Sequence, residues 1–193
     1  VAMLAVLRAG GMYLPLDPSY PKARLKHMID DAQCTVLLTS GDYHNYIEFS
    51  SHQLIAEELL EKTADVSISK SQSNDYAYLM YTSGSSGHPK GCLITQKGLL
   101  NYINFANEQY FLSNGVEEFA CFTSISFDLT VTSIYCPLLS GKTLRIFEGE
   151  TRDVLTRVFD PKYNIEGIKV TPSQLDQFAF AESVDFKSHI KSM

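Results

Sequence analysis

No stretch of this sequence stays apolar for the roughly 18 residues that a membrane-spanning helix needs, so no helical membrane partner is expected. Basic residues are few and scattered. Sixteen Lys and Arg against 22 Asp and Glu give a formal charge of −6. Without a basic block there is no electrostatic footprint for nucleic acid. The four cysteines, Cys34, Cys92, Cys121 and Cys136, show no CxxC spacing. This speaks against a zinc cage or a disulfide framework, and no metal ligands are assigned. They read as buried free thiols of a cytoplasmic protein. The opening VAMLAVLRAGG lacks the basic leader and cleavage pattern of a signal peptide. No internal repeat or low-complexity tract stands out.

What the sequence does have is material for a core. Of 193 residues, 45% are hydrophobic, at a length where folding covers roughly 70% of the unfolded surface. Apolar spacing predicts helices over 1–9, ended by Gly10-Gly11, and over 21–32, with Leu25, Met28, Ile29 and Ala32 on one face. Between them the prolines of Tyr13-Leu14-Pro15-Leu16-Asp17-Pro18 favour extended backbone. A short buried strand is expected at 34–38, then a polar excursion over 41–73 with a helical patch at 55–60. Further strands are expected at 76–81, 92–95, 119–123, 142–147 and 165–171. Helices are expected at 96–111, 129–139, 153–159 and from Pro172, where proline suits the first turn. Leu99, Tyr102, Ile103 and Ala106 form the apolar face of the 96–111 helix. Strands alternating with helices indicate an α/β fold with a largely parallel sheet.

The densest chemical signal is Tyr81-Thr82-Ser83-Gly84-Ser85-Ser86-Gly87-His88-Pro89-Lys90-Gly91, directly after an apolar strand. Glycines let the backbone approach a ligand and turn successive N–H groups toward an anion. Thr82, Ser83, Ser85 and Ser86 add hydroxyl donors, and Lys90 adds a mobile positive charge suited to phosphate. A Walker loop is excluded, because Pro89 precedes the lysine and blocks a continuing helix. The bland alternative is a serine-glycine linker.

Here the chain resembles the adenylate-forming superfamily, and within it the adenylation domains of nonribosomal peptide synthetases. TSGSSGHPKG is similar to the phosphate loop TSG(S/T)TGxPKG, with Ser86 in place of the usual threonine. LRAGGMYLPLDPSYPKAR resembles LKAGxAYxPLDPxYPxxR, and Phe127-Asp128-Leu129-Thr130 resembles FDxS. The resemblance implies that ATP and a carboxylate become an acyl-adenylate and pyrophosphate. The acyl group then passes to the phosphopantetheine thiol of a peptidyl carrier domain. It implies Mg²⁺ with the ATP, phosphate contacts from Thr82, Ser83, Gly84, Ser85, Ser86, Gly87, Lys90 and Gly91, and catalytic roles for Lys90 and Thr82. Neighbouring synthetase domains, and a small accessory protein, are the partners it suggests.

The same resemblance gives the substrate pocket. Asp128 lies among apolar residues, where a carboxylate is costly unless paired. By itself it reads as a helix N-cap; by the resemblance it pairs with the substrate's α-ammonium group, beside Phe127. Leu129, Thr132 one turn on, and Lys169 complete a quartet similar to that of domains selecting aspartate or asparagine. Lys169 would meet the side-chain carboxylate or amide oxygen, with Gly167 leaving room nearby. The bland reading of Lys169 is an exposed strand residue. Gln96 stands where the family often has histidine. The family's later motifs and small C-terminal domain are missing from 1–193. The expectation is therefore a partial adenylation domain cut at both ends, inactive alone, with exposed sheet edges and apolar surface. Two other readings stay open: a coenzyme A-dependent adenylate-forming ligase, and a degenerate docking module without catalysis.

Overall fold

The computed structural model describes residues 1–62, 69–83, 89–179 and 190–192. The chain divides into two compact units, Val1–Leu99 and Leu100–Met193.

In the first unit, α1 (Ala2–Arg8) ends before Gly10. The φ of +79° at Gly10 is one that a side chain would strain. The proline-rich segment is extended, as its sequence dictates. It docks on β3 (Tyr76–Thr82) through a parallel bridge between Tyr13 and Tyr78. The Leu79 N–H donates to the Tyr13 carbonyl at 3.0 Å. The Asp17 carboxylate then accepts the Ser19 N–H at 2.8 Å, and its carbonyl accepts the Tyr20 N–H at 3.0 Å. This side-chain-stabilised turn brings the chain to α2 (Lys22–Asp31), which buries Leu25, Met28 and Ile29. Met28 packs with Leu79 and Tyr81, walled by Leu14, Leu16, Tyr20 and Ala32.

β1 (Val36–Thr39) pairs in parallel with β2 (His52–Ile55), which leads into α3 (Ala56–Leu60). The sequence does not announce β2. HQLI has little apolar content, and it alternates exposed and half-buried residues. β3 runs into β4 (Lys90–Thr95) as an antiparallel hairpin, paired from Tyr76↔Thr95 to Thr82↔Lys90. Most of β3 is buried, as its unbroken apolar run predicts.

α4 (Gln96–Ala106) follows β4 in the chain. The helix expected to continue to 111 instead changes to a π-helical turn over Asn107–Leu112. The second unit then forms a strand–helix–strand crossover from β5 (Glu118–Cys121), α5 (Leu129–Leu139) and β6 (Thr143–Ile146). The two strands are parallel. A parallel pair needs such a crossover. α5 is buried from Thr130 to Pro137, consistent with a helix apolar nearly all round.

α6 (Thr151–Val158) contributes Val154, Leu155 and Val158 to a core with Ala120, Phe147, Phe159, Ile165 and Ile168. Burial of each such large aliphatic or aromatic side chain stabilises by roughly 1.5–3 kcal/mol. α7 (Pro172–Ala179) begins at Pro172 as expected. The strand expected at 165–171 does not form as such. It is reduced to parallel bridges of Gly167 with Phe119 and with Ser192. The apolar residues that suggested a strand, Ile165 and Ile168, are instead fixed by burial against α6.

The α/β expectation holds; of the three ladders among the described residues, two are parallel and one is antiparallel. Large apolar side chains are also exposed within the units, Leu60 at 71% and Ile146 at 70% among them. No helix among the described residues is long and apolar enough to cross a membrane.

Candidate functional site

The chemistry-bearing residues fall into one cluster in each unit. In the first, β3 and β4 present the two ends of the glycine-serine loop. Thr82 and Lys90 are paired across the ladder, with the Thr82 hydroxyl 3.5 Å from the Lys90 carbonyl. Both side chains are exposed, as is Ser83. Gly84, Ser85, Ser86, Gly87 and His88 lie outside the described residues. Gly91 sits within β4 opposite Tyr81. A Cβ there would lie 3.0 Å from Leu79 Cδ1 and 3.4 Å from Tyr81 Cζ. Its lack of a side chain therefore serves the packing of the hairpin.

Sequence reasoning missed what anchors this hairpin. The Tyr81 hydroxyl donates to Asp31 at 2.5 Å, tying the strand end to the end of α2. Burial first, and then this bond to a carboxylate, raise the phenol well above its ordinary pKa. Neither residue carries a sequence signal for the pairing, because they stand 50 positions apart.

The second cluster is built on α5. Its entry is a turn in which the Thr130 hydroxyl donates to the Ser124 carbonyl at 2.6 Å and lies 2.8 Å from the Thr123 hydroxyl. These bonds satisfy Thr130, which is fully buried. Asp128 occupies the N-cap position, but its side chain makes no capping hydrogen bond. The carboxylate is exposed, and Phe127 beside it is 55% exposed. Leu129 is half-buried.

One turn into α5, Thr132 is 1% exposed, and its hydroxyl accepts a hydrogen bond from Lys169 Nζ at 2.6 Å. The lysine is therefore not the free strand residue of the bland reading. It also donates to the Tyr102 hydroxyl at 2.9 Å, and the two hydroxyls lie 2.5 Å apart. No acidic side chain pairs with Lys169 among the described residues. Cys136 lies one further turn along α5. Burial pushes its thiol up to about 11, against the downward pull of the Lys169 charge.

Tyr102 belongs to the helix face that the sequence assigns to the core, yet its hydroxyl completes this trio. Periodicity registers the ring and not the polar tip. Gly167, in contrast, gives the cluster no room. A Cβ there would strike the Phe119 ring and come within 2.9 Å of Val116 Cγ1, so the glycine faces the packed interior.

The fold, the loop and the α5 cluster invite comparison with known proteins. The whole sequence, residues 1–193, matches the AMP-binding enzyme family. The chain belongs to that family. This AMP-binding enzyme sequence is 44% identical over 179 residues to tyrocidine synthase 3 of Brevibacillus parabrevis, covering 91% of the chain and 3% of the relative. It is 39% identical over 187 residues to bacitracin synthase 3 of Bacillus licheniformis, with the same coverages. The chain thus spans about 3% of the length of these relatives.

Among solved structures, it resembles a four-domain nonribosomal peptide synthetase bound to AMP and glycine. The TM-score is 0.80 at 24% identity, over 98% of this chain and 14% of that one. It resembles equally the o-succinylbenzoate CoA synthetase of Bacillus subtilis in complex with its acyl-adenylate. There the TM-score is 0.80 at 17% identity, over 98% and 50%. Both likenesses speak for the fold of an AMP-binding enzyme.

No three His, Cys, Asp or Glu side chains converge to hold a metal ion among the described residues. They therefore offer no protein cage for Mg²⁺. That ion is commonly held by substrate phosphates with one or two carboxylates.

Proposed function

We propose that these residues are part of an amino-acid-adenylating ligase. Its reaction joins the carboxylate of an α-amino acid to the α-phosphorus of ATP and releases pyrophosphate. The aminoacyl group is then transferred to the phosphopantetheine thiol of a peptidyl carrier domain. On this reading residues 1–193 are part of the large nucleotide-binding domain of a multidomain synthetase acting in the cytoplasm. Neighbouring synthetase domains, and a small accessory protein, are its partners. L-aspartate or L-asparagine is the amino acid.

The observation that carries this reading is the state of Lys169. An ammonium hydrogen-bonded to two hydroxyls, with no acid beside it among the described residues, is a ready partner for an incoming oxygen. One turn back along α5, Asp128 offers an exposed carboxylate that is not used as a cap. A carboxylate and an ammonium on one cluster match the α-ammonium and the side-chain oxygen of aspartate or asparagine. Phe127 is assigned to flank the reacting carboxylate, and Leu129 to line the pocket.

In the hairpin, Lys90, Thr82 and the loop Ser83, Gly84, Ser85, Ser86, Gly87 to Gly91 are assigned to the β and γ phosphates. Donors there stabilise the charge that develops on the departing pyrophosphate. Mg²⁺ would arrive with ATP and neutralise phosphate charge.

A coenzyme A-dependent ligase shares the fold, and a docking module without catalysis could retain it. ATP–pyrophosphate exchange, run on the longest natural reading frame containing this sequence against the common amino acids and a set of fatty and aryl acids, separates the three. Exchange driven by Asp or Asn supports the proposal. Exchange with fatty or aryl acids supports the coenzyme A ligase, and no exchange with any acid supports the docking module.

A further inference from the structure

The Tyr102–Thr132–Lys169 triangle holds more polar groups than a lysine reader alone requires. An ammonium has three N–H donors. Two are used on Thr132 Oγ1 and the Tyr102 hydroxyl, which leaves one without a partner among the described residues. The hydroxyls lie 2.5 Å apart, so one donates to the other and the three groups form a closed set of bonds. Thr132 is held by α5 and is almost wholly buried. Tyr102 comes from α4, and its ring centroid lies 5.6 Å from the lysine nitrogen. A lysine stem has four carbons and much rotamer freedom. Hydrogen bonds to hydroxyls from two different helices restrict that freedom.

We infer that Tyr102 is a positioning residue for the amino-acid side chain. With Thr132 it fixes the Lys169 ammonium so that its remaining N–H meets an sp² oxygen group on the substrate's β-carbon. This rests on the function proposed above and extends it to a residue outside the expected quartet. Both a carboxylate and a carboxamide supply the required oxygen. Tyr102 acts through Lys169, so its loss changes recognition of the side chain and leaves the nucleotide side of the reaction untouched.

The test is ATP–pyrophosphate exchange by Tyr102→Phe, Lys169→Met and the double variant, in the longest natural reading frame containing this sequence. Aspartate, asparagine and alanine are varied in turn. Phenylalanine keeps the ring and the packing. The expected result is a KM for the preferred of aspartate and asparagine raised about tenfold by Tyr102→Phe, the scale of one hydrogen bond to a charged group. The KM for ATP and the exchange driven by alanine stay at wild-type values. In the Lys169→Met background, Tyr102→Phe adds no further loss in kcat/KM, since the group it positions is gone.

A wild-type KM in Tyr102→Phe overturns the inference and leaves the proposed function standing. So does an equal loss with all three amino acids, or a loss that persists undiminished beside Lys169→Met. Wild-type protein that exchanges with neither aspartate nor asparagine overturns the substrate reading, and the inference with it.

Discussion

The ring of Phe119 occupies the space where Gly167 would carry a side chain. The two residues also form a parallel bridge, and the Ala120 N–H donates to the Gly167 carbonyl at 2.9 Å. An added Cβ would lie 2.7 Å from Phe119 Cε2, backed by the stack of Phe119 on Phe111 at 4.8 Å. Gly167→Ala is therefore expected to destabilise this region by about 1–3 kcal/mol, as overpacking does. Hydrogen–deuterium exchange should show faster labelling of the peptides around residues 119–121 and 166–168. Unchanged protection there would show that the ring has room to retreat.

Lys90 is exposed at the loop end and paired with Thr82. If it meets phosphate, Lys90→Ala should lower the pyrophosphate exchange rate roughly a hundredfold, as loss of one transition-state donor does. The KM for the amino acid should hardly move. A variant in which only the amino-acid KM changes would place Lys90 away from the phosphates.

Asp128 makes no cap bond, so Asp128→Asn should leave helix α5 intact by circular dichroism. Its expected effect is on recognition of the α-ammonium group. The preference for aspartate over succinate, which lacks only that amine, should fall by at least about thirtyfold, the lower range for truncating a charged pair. A preserved preference would assign the amine to another group.

The thiols make a prediction about pH. Burial raises Cys121 and Cys136 from 9.0 to about 11, while Cys92 is exposed. Iodoacetamide at pH 8 should label Cys92 first and leave Cys121 and Cys136 intact by peptide mass spectrometry. The sign for stability follows from the raised values. The folded state keeps these thiols protonated where the unfolded chain has lost its protons. Their contribution is therefore full below pH 9 and declines from there to about pH 11. Thermal melts at pH 8 and pH 10.5 should show the loss, and its reduction in Cys121→Ala measured against its own pH 8 value.

Much of this was legible from residue order. α2 shows its buried face as Leu25, Met28 and Ile29, and α5 is apolar enough to be read as buried outright. The motifs single out the loop, Asp128, Thr132 and Lys169 as candidates, and the structure brings Thr132 and Lys169 into contact. What escaped depends on partners far away in the chain. β2 is a strand because β1 pairs with it, and Tyr102 is polar in effect because Thr132 and Lys169 meet its hydroxyl. Ile165 and Ile168 mimic a strand because burial alone produces apolar content without a ladder.

The Thr82↔Lys90 pairing has a consequence for loop length. Seven residues, 83–89, join two chain positions that the ladder holds about 5 Å apart. The entropy of bringing those ends together is lost when the hairpin folds, not when an anion arrives. Closure entropy grows only with the logarithm of ring size, so two added residues cost about 0.2 kcal/mol. Thermodynamically, such a ring tolerates drift in its length far better than the loss of the strand pairs that close it.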